Sequence, residues 1–288
     1  MKMENVPMRT FENGLTIPSI GFGTADLPVD VEQAVFNALC AGYRLIDTAA
    51  VYGSEEGVGA AVKKAIEQGI VRREELFIQT KLAPDRHGYK EALSAFGESL
   101  ERLQLEYVDM YMIHWPVARG SEDDYPEKNV ATWHAFEELK EKGKVRHLGV
   151  CNFLERHILQ LTEKGLSAPE VNQLEIHPAF QQRGLVKFCF EHKIGVEAWA
   201  PMGRGVLKTA EFETMAQSYE KNIGQLALRW NVQYGAVPLV RSSSEAHMKG
   251  NLDVFDFEIL PDDMRRLNEL NTYDMHQDFW SYKRQQMY

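Results

Sequence analysis

What most constrains this chain is an alternation. Eight short runs of β-like residues recur along it, at 20–23, 45–47, 76–80, 108–113, 147–150, 171–174, 195–199 and 237–240. Between them lie longer segments with apolar residues at helical spacing, among them 31–41, 55–68, 89–103, 129–142 and 223–233. Eight strand–helix units in series imply an α/β fold with a parallel sheet, either closed into a (β/α)8 TIM barrel or left open and doubly wound. The open form ordinarily carries a glycine-rich phosphate turn after its first strand. In Gly21-Phe22-Gly23-Thr24-Ala25-Asp26, an aspartate stands where the third glycine of that turn belongs. The closed barrel is therefore expected. Residues 8–17, turned by Asn13-Gly14, read as an N-terminal β-hairpin closing its bottom.

A chain of 288 residues accommodates one barrel of about 250 residues or two smaller domains. No low-complexity tract, Gly/Ser linker or composition shift marks a boundary, so a single barrel domain over 1–288 is expected. Hydrophobic residues at 44% and charged ones at 26% supply a large core and exclude a disordered or fibrous class. The net charge of −10 repels phosphate backbones and anionic lipid, which argues against nucleic acid or membrane as partner. No apolar run approaches the roughly 20 residues of a membrane helix, and the opening Met1-Lys2-Met3-Glu4-Asn5 has no apolar stretch resembling a signal peptide. Cys40, Cys151 and Cys189 are widely spaced and lack the pairing of a zinc or redox motif. The expectation is a cytoplasmic protein with reduced thiols and no metal.

In a barrel of this kind the chemistry lies at the C-terminal ends of the strands. Those ends are polar here: Asp47 on the second run, Lys81 on the third, His114 on the fourth, Asn152 after the fifth, Gln173 in the sixth, Trp199 on the seventh and Arg241-Ser242 after the eighth. Asp47, Lys81 and His114 are spaced 34 and 33 residues apart, one strand–helix unit each, and Tyr52 follows Asp47 by five. A phenol titrates near 10, so Tyr52 holds its proton at neutral pH and gives it up only where the phenolate is stabilised. An ammonium at Lys81 does that, a carboxylate at Asp47 keeps the lysine charged, and His114 can donate to the same substrate oxygen. Such a set polarises a carbonyl and protonates the alkoxide left by hydride addition.

Together these segments resemble the aldo-keto reductase family. The resemblance runs from the hairpin to about residue 275 and rests on six ordered motifs. They are the stretch Gly42-Tyr43-Arg44-Leu45-Ile46-Asp47-Thr48-Ala49-Ala50-Val51-Tyr52-Gly53-Ser54-Glu55, then Thr80-Lys81-Leu82, Ile113-His114-Trp115-Pro116, Gly149-Val150-Cys151-Asn152-Phe153, Asn172-Gln173-Leu174-Glu175-Ile176-His177-Pro178 and Trp199-Ala200-Pro201-Met202-Gly203. It implies an NADPH-dependent reductase of aldehydes or ketones, with catalytic Asp47, Tyr52, Lys81 and His114 and Tyr52 as general acid. It further implies NADPH lying across the barrel mouth. Asn152 and Gln173 would hold the nicotinamide carboxamide, Trp199 would stack on the ring, and Thr24 and Asp47 would lie near the ribose. The loop with Pro201, Met202, Gly203, Gly205 and Leu207 would approach the pyrophosphate.

For the adenine end, the resemblance points to Arg241, Ser242, Ser243, His247 and Asn251. Relatives commonly have Lys for Arg241, Arg for His247 and Glu for Gly250. A guanidinium at Arg241 can bind a 2′-phosphate through paired donors, which favours NADPH, while neutral His247 is a weaker partner and makes NADH a second choice. Trp115 and Trp280 are expected to line the substrate site, with specificity in loops near 115–130, 201–212 and 272–288. The resemblance favours a monomer.

Taken singly, each of these residues has an ordinary reading: Asp47 as a turn cap, Lys81 as a solvated strand end, His114 and Trp199 as core, Asn152 as a helix cap, Gln173 as a partner of buried backbone. Their joint arrival at one rim, in order, carries the functional reading. Three rivals remain open on the sequence: a Schiff-base lysine at Lys81, a metal held by His114, Glu175 and His177, and a cofactor-binding regulatory or redox-sensing subunit with little turnover.

Overall fold

The computed structural model describes residues 6–27, 30–118 and 123–271. A hairpin of β1 (Met8–Thr10) and β2 (Thr16–Pro18) precedes eight parallel strands. These are β3 (Gly21–Gly23), β4 (Leu45–Asp47), β5 (Phe77–Leu82), β6 (Val108–Ile113), β7 (Val145–Cys151), β8 (Val171–Glu175), β9 (Gly195–Trp199) and β10 (Val237–Val240). Each pairs with its neighbour in sequence and β10 closes onto β3, giving the (β/α)8 barrel.

Alternation along the strands explains both faces. Ile46, Ile78, Leu174 and Val196 point outward and join the apolar layer under the helices. The inward parity runs Leu45, Asp47 in β4; Phe77, Gln79, Lys81 in β5; Val171, Gln173 in β8; and Gly195, Glu197, Trp199 in β9. At the N-terminal end these inward residues are apolar: Leu45, Phe77, Met110, Val171, Val237 and Leu239 form a core of their own with Phe11, Leu15 and Ile17 of the hairpin. The hairpin thus plugs the bottom. Its turn is held by the Leu15 amide, which donates to Asn13 Oδ1 at 3.0 Å. Gly195 is glycine because a Cβ there would stand 2.8 Å from the Phe11 ring.

The elements follow the expected segments with shifts of a few residues at several ends, two of which have a clear cause or consequence. The helix Tyr125–Glu141 starts four residues before 129, because Pro126 in its first turn lacks only an N–H that the helix does not need there. The third barrel strand extends to Leu82, so Lys81 lies within β5 and is fully buried, not a solvated strand end. Among the described residues no helix is long and apolar enough to cross a membrane.

Candidate active site

The polar residues on the inward parity converge at the C-terminal mouth of the barrel, in a cleft of about 480 Å³. Beneath it lies a fully buried lysine that does not itself line the cleft. Lys81 Nζ donates to both oxygens of Asp47, at 2.7 and 2.8 Å, to the Thr48 carbonyl at 3.1 Å and to Tyr52 Oη at 3.4 Å. Burial alone would discharge this lysine, but Asp47 and the Tyr52 oxygen outweigh it and hold the ammonium above its ordinary value. Burial likewise pushes the Tyr52 phenol above its usual range, with Lys81 pulling it back. On the other side Tyr52 Oη lies 3.3 Å from His114 Nε2, the two rings meeting edge to face. Burial, aided by the Lys81 charge, drives His114 well below its ordinary value, so the imidazole is neutral. Its Nδ1 has no hydrogen-bond partner among the described residues.

Tyr52 reaches this position from a single turn of 3₁₀ helix, Ala50–Tyr52, ended by Gly53 in the left-handed region. Thr24 lies behind that turn, buried, and does not line the cleft. Its hydroxyl donates to the Asp47 carbonyl at 3.1 Å and contacts Ser54 Oγ at 2.9 Å, Ser54 in turn meeting Thr48.

Asn152 and Gln173 line the cleft. Asn152, at φ +62°, donates to the His114 carbonyl at 3.2 Å and accepts from Trp199 Nε1 at 3.0 Å. Gln173 Nε2 donates to Asp47 Oδ1 at 3.0 Å and to Glu197 Oε2 at 2.8 Å. Both its amide protons are committed, and Oε1 accepts from the Cys151 thiol at 3.7 Å, with a second lone pair left. Trp115, Trp199, Pro201, Met202 and Arg241 share the lining with Asp47, Tyr52 and His114. The following loop turns through Gly203 and Gly205, both at positive φ, and a Cβ on Gly203 would meet Val206 at 2.9 Å. Gly203, Gly205 and Leu207 support the loop without lining the cleft.

At the far strand, Arg241 Nη1 donates to the carbonyls of Ala25 and Asp26, at 2.9 and 2.6 Å, and lies 3.8 Å from the Asp26 carboxylate. The Ser242 hydroxyl is occupied in its own turn, accepting from the Ser244 amide and donating to the Ser244 carbonyl. Ser243 and His247 are exposed, and Asn251 caps the short helix Glu245–Gly250, whose Met248 carbonyl accepts from the Tyr43 hydroxyl at 3.0 Å. None of these four lines the cleft. Trp280 and the tail 272–288 lie outside the described residues, as does 119–122 of the first loop.

Sequence reasoning missed four residues of this centre. Arg204 lines the cleft with its guanidinium 5.4 Å over the Trp199 ring, and Asp26 meets Arg241. Below the floor, Gln79 and Glu197 extend the polar network. The last two stood on the inward parity of β5 and β9, which a period-two reading exposes; Arg204 and Asp26 sit in loops that carry no such period.

A sequence profile of the Aldo/keto reductase family matches residues 19–272. The chain is 41% identical over 262 residues to a glyoxal reductase of Bacillus subtilis, covering 90% of this chain and 91% of that one. It is 39% identical over 270 residues to a methylglyoxal reductase of Yersinia pestis, covering 92% and 93%. Among solved structures, a Bombyx mori aldo-keto reductase in complex with NADP superposes with a TM-score of 0.86 at 33% identity, over 96% of this chain and 98% of that one. An aldo/keto reductase from Brucella melitensis gives the same TM-score at 37% identity, over 94% and 100%. The chain belongs to the aldo/keto reductase family and is an NAD(P)H-dependent oxidoreductase that reduces carbonyls.

Proposed function

We propose that this protein reduces an aldehyde or ketone to the alcohol with NADPH, Tyr52 giving the proton. The observation that carries this reading is the buried Lys81 Nζ, shared between both Asp47 oxygens and Tyr52 Oη. The cleft suits the cofactor. Gln173 presents an acceptor for an amide N–H, Trp199 supplies an aromatic surface, and the cations Arg241 and Arg204 on the same lining suit phosphates. Asn152 and Gln173 would hold the carboxamide, and Arg241 the 2′-phosphate, as the NADP bound by the Bombyx mori neighbour makes natural. When bound, NADPH supplies the hydride.

The chain's own residues do the rest. A carbonyl oxygen set between Tyr52 and neutral His114 accepts a hydrogen bond from each, and the negative charge that develops on it is met by donors already in place. The Tyr52 proton then passes to that oxygen, and Lys81 stabilises the phenolate left behind. Asp47 holds Lys81 charged throughout. A lysine kept protonated this way is the opposite of a Schiff-base nucleophile, and Glu175 pairs with His177 at 3.8 Å while His114 faces Tyr52. The apolar Trp115 wall and the relatives' names favour small aldehydes and α-dicarbonyls as substrates.

Following NADPH oxidation against a carbonyl panel tests the reading, with Tyr52→Phe alongside. The variant should bind NADPH within about twofold of wild type and lose on the order of 10²- to 10⁴-fold in kcat/KM. Wild type that binds NADPH and turns over no carbonyl would leave the regulatory alternative in its place.

A further inference from the structure

Beneath the floor of the cleft lies a second carboxylate. Glu197 is fully buried on β9, and its Oε2 accepts from two amides: Gln79 Nε2 at 2.8 Å and Gln173 Nε2 at 2.8 Å. The same two nitrogens donate to Asp47 Oδ1, at 2.8 and 3.0 Å. Two glutamines therefore clamp two carboxylates face to face, with one lysine between them and the reacting phenol. Glu197 Oε1 has no partner among the described residues, and neither has Gln79 Oε1.

A carboxylate in this place is costly, since burying a charge without a cation of its own is far less favourable than burying the neutral acid. The titratable groups that act on it are Asp47 from β4, Lys81 from β5 and the Cys151 thiol from β7. The other strands bring no charge: Gln173 on β8, the glycines Gly21 and Gly23 on β3, Met110 and Met112 on β6, Val237 and Leu239 on β10.

We infer that Glu197 is a positioning residue of the reductase centre: through the shared amides of Gln79 and Gln173 it biases the Asp47–Lys81 pair, and so sets how readily Tyr52 releases its proton. Charged, Glu197 adds negative potential beneath Lys81 and holds the proton on Tyr52. Neutral, it leaves the lysine charge to stabilise the phenolate, and Tyr52 is the better acid. Burial, then repulsion from Asp47, raises the Glu197 carboxyl to about 7, so the two forms exchange in the neutral range. Reduction should accordingly slow as the pH rises through that range.

This inference rests on the reading of Tyr52 as the acid. The test is kcat/KM for 4-nitrobenzaldehyde with NADPH, across the neutral range, in wild type and Glu197→Gln. The glutamine keeps the shape and one oxygen to accept both amides, and replaces the charged, partnerless Oε1 by a neutral NH2. Wild type should bend downward near pH 7, and the variant should lose that bend and exceed wild type roughly threefold to tenfold on the alkaline side. A bend that persists in the variant, or a wild-type profile flat through neutrality, overturns the role of Glu197 while leaving the reductase reading standing. No turnover by wild type at any pH removes both, and is a different result. Should the variant not fold, difference infrared spectra of wild type decide. A buried carboxyl band bleached in step with the rate supports the inference, and a bend without bleaching overturns it.

Discussion

Lys81 keeps its charge with no access to solvent because Asp47 meets it with both oxygens, and the cost of burying two ions is repaid by contact at 2.7 and 2.8 Å. The same ammonium also reaches Tyr52 Oη, at 3.4 Å. Residue types and spacing made this group readable, since Asp47, Lys81 and His114 fall one strand–helix unit apart. What the spacing could not convey is where a flexible side chain ends. Arg241 is bonded to the loop of Ala25 and Asp26, while Ser243 and His247 face solvent, because these contacts depend on loop conformations with no periodicity to read. A 2′-phosphate at Arg241 must therefore compete with Asp26 for the guanidinium. Replacing the arginine removes the paired donors, and Arg241→Ala should weaken NADPH binding roughly 10- to 100-fold while changing NADH by less than about twofold. Fluorescence titration of both cofactors measures this; equal losses for the two would remove Arg241 from 2′-phosphate recognition.

At the scale of elements, each inward strand changes character along its length. In β5 the sequence Phe77, Gln79, Lys81 passes from the bottom core, through the amide clamp, to the ammonium beneath the cleft, in steps of two residues. The alternation that located the eight strands also contained Gln79 and Glu197, but polar residues inside a short run look like breaks in it, and only closure of the barrel shows that they face each other. The hairpin was legible from Asn13-Gly14 because that turn has a strong local signature. Its packing separates stability from chemistry. Phe11 fills the bottom against Gly195, at the opposite end of the strands from the cleft. Phe11→Ala should cost about 3–5 kcal/mol in stability by opening a cavity there. Denaturant unfolding would register that loss, while kcat/KM of the folded variant should stay within about twofold of wild type; a larger catalytic loss would mean that the hairpin communicates with the rim.

The whole molecule carries opposing proton linkages that meet in one pH range. Burial holds three histidines neutral: it lowers His87, with help from Lys128, to about 4, and His157, with help from Arg156, to about 3, and it places His114 well below its ordinary 6.5. The unfolded chain protonates these histidines near 6.5 and the folded chain does not, so their stabilisation is present above 6.5 and is lost as the pH falls toward 4. Glu197 acts the other way. Its carboxyl is raised from an ordinary 4.5 to about 7, so its contribution is fully present below 4.5 and is lost as the pH rises through about 7. With three groups against one, wild-type stability should rise from pH 4 to 6.5, dip slightly as Glu197 finishes ionising near 7, and level off above that. Glu197→Gln removes the descending part alone. Relative to wild type it should gain about 2–4 kcal/mol between pH 4.5 and 7, a difference on the order of 5–10 °C in Tm. Thermal unfolding of the two proteins side by side reads that gain without any substrate. Parallel Tm curves would show that Glu197 takes up no extra proton on folding, and the titration proposed for it beneath Asp47 would fall with them.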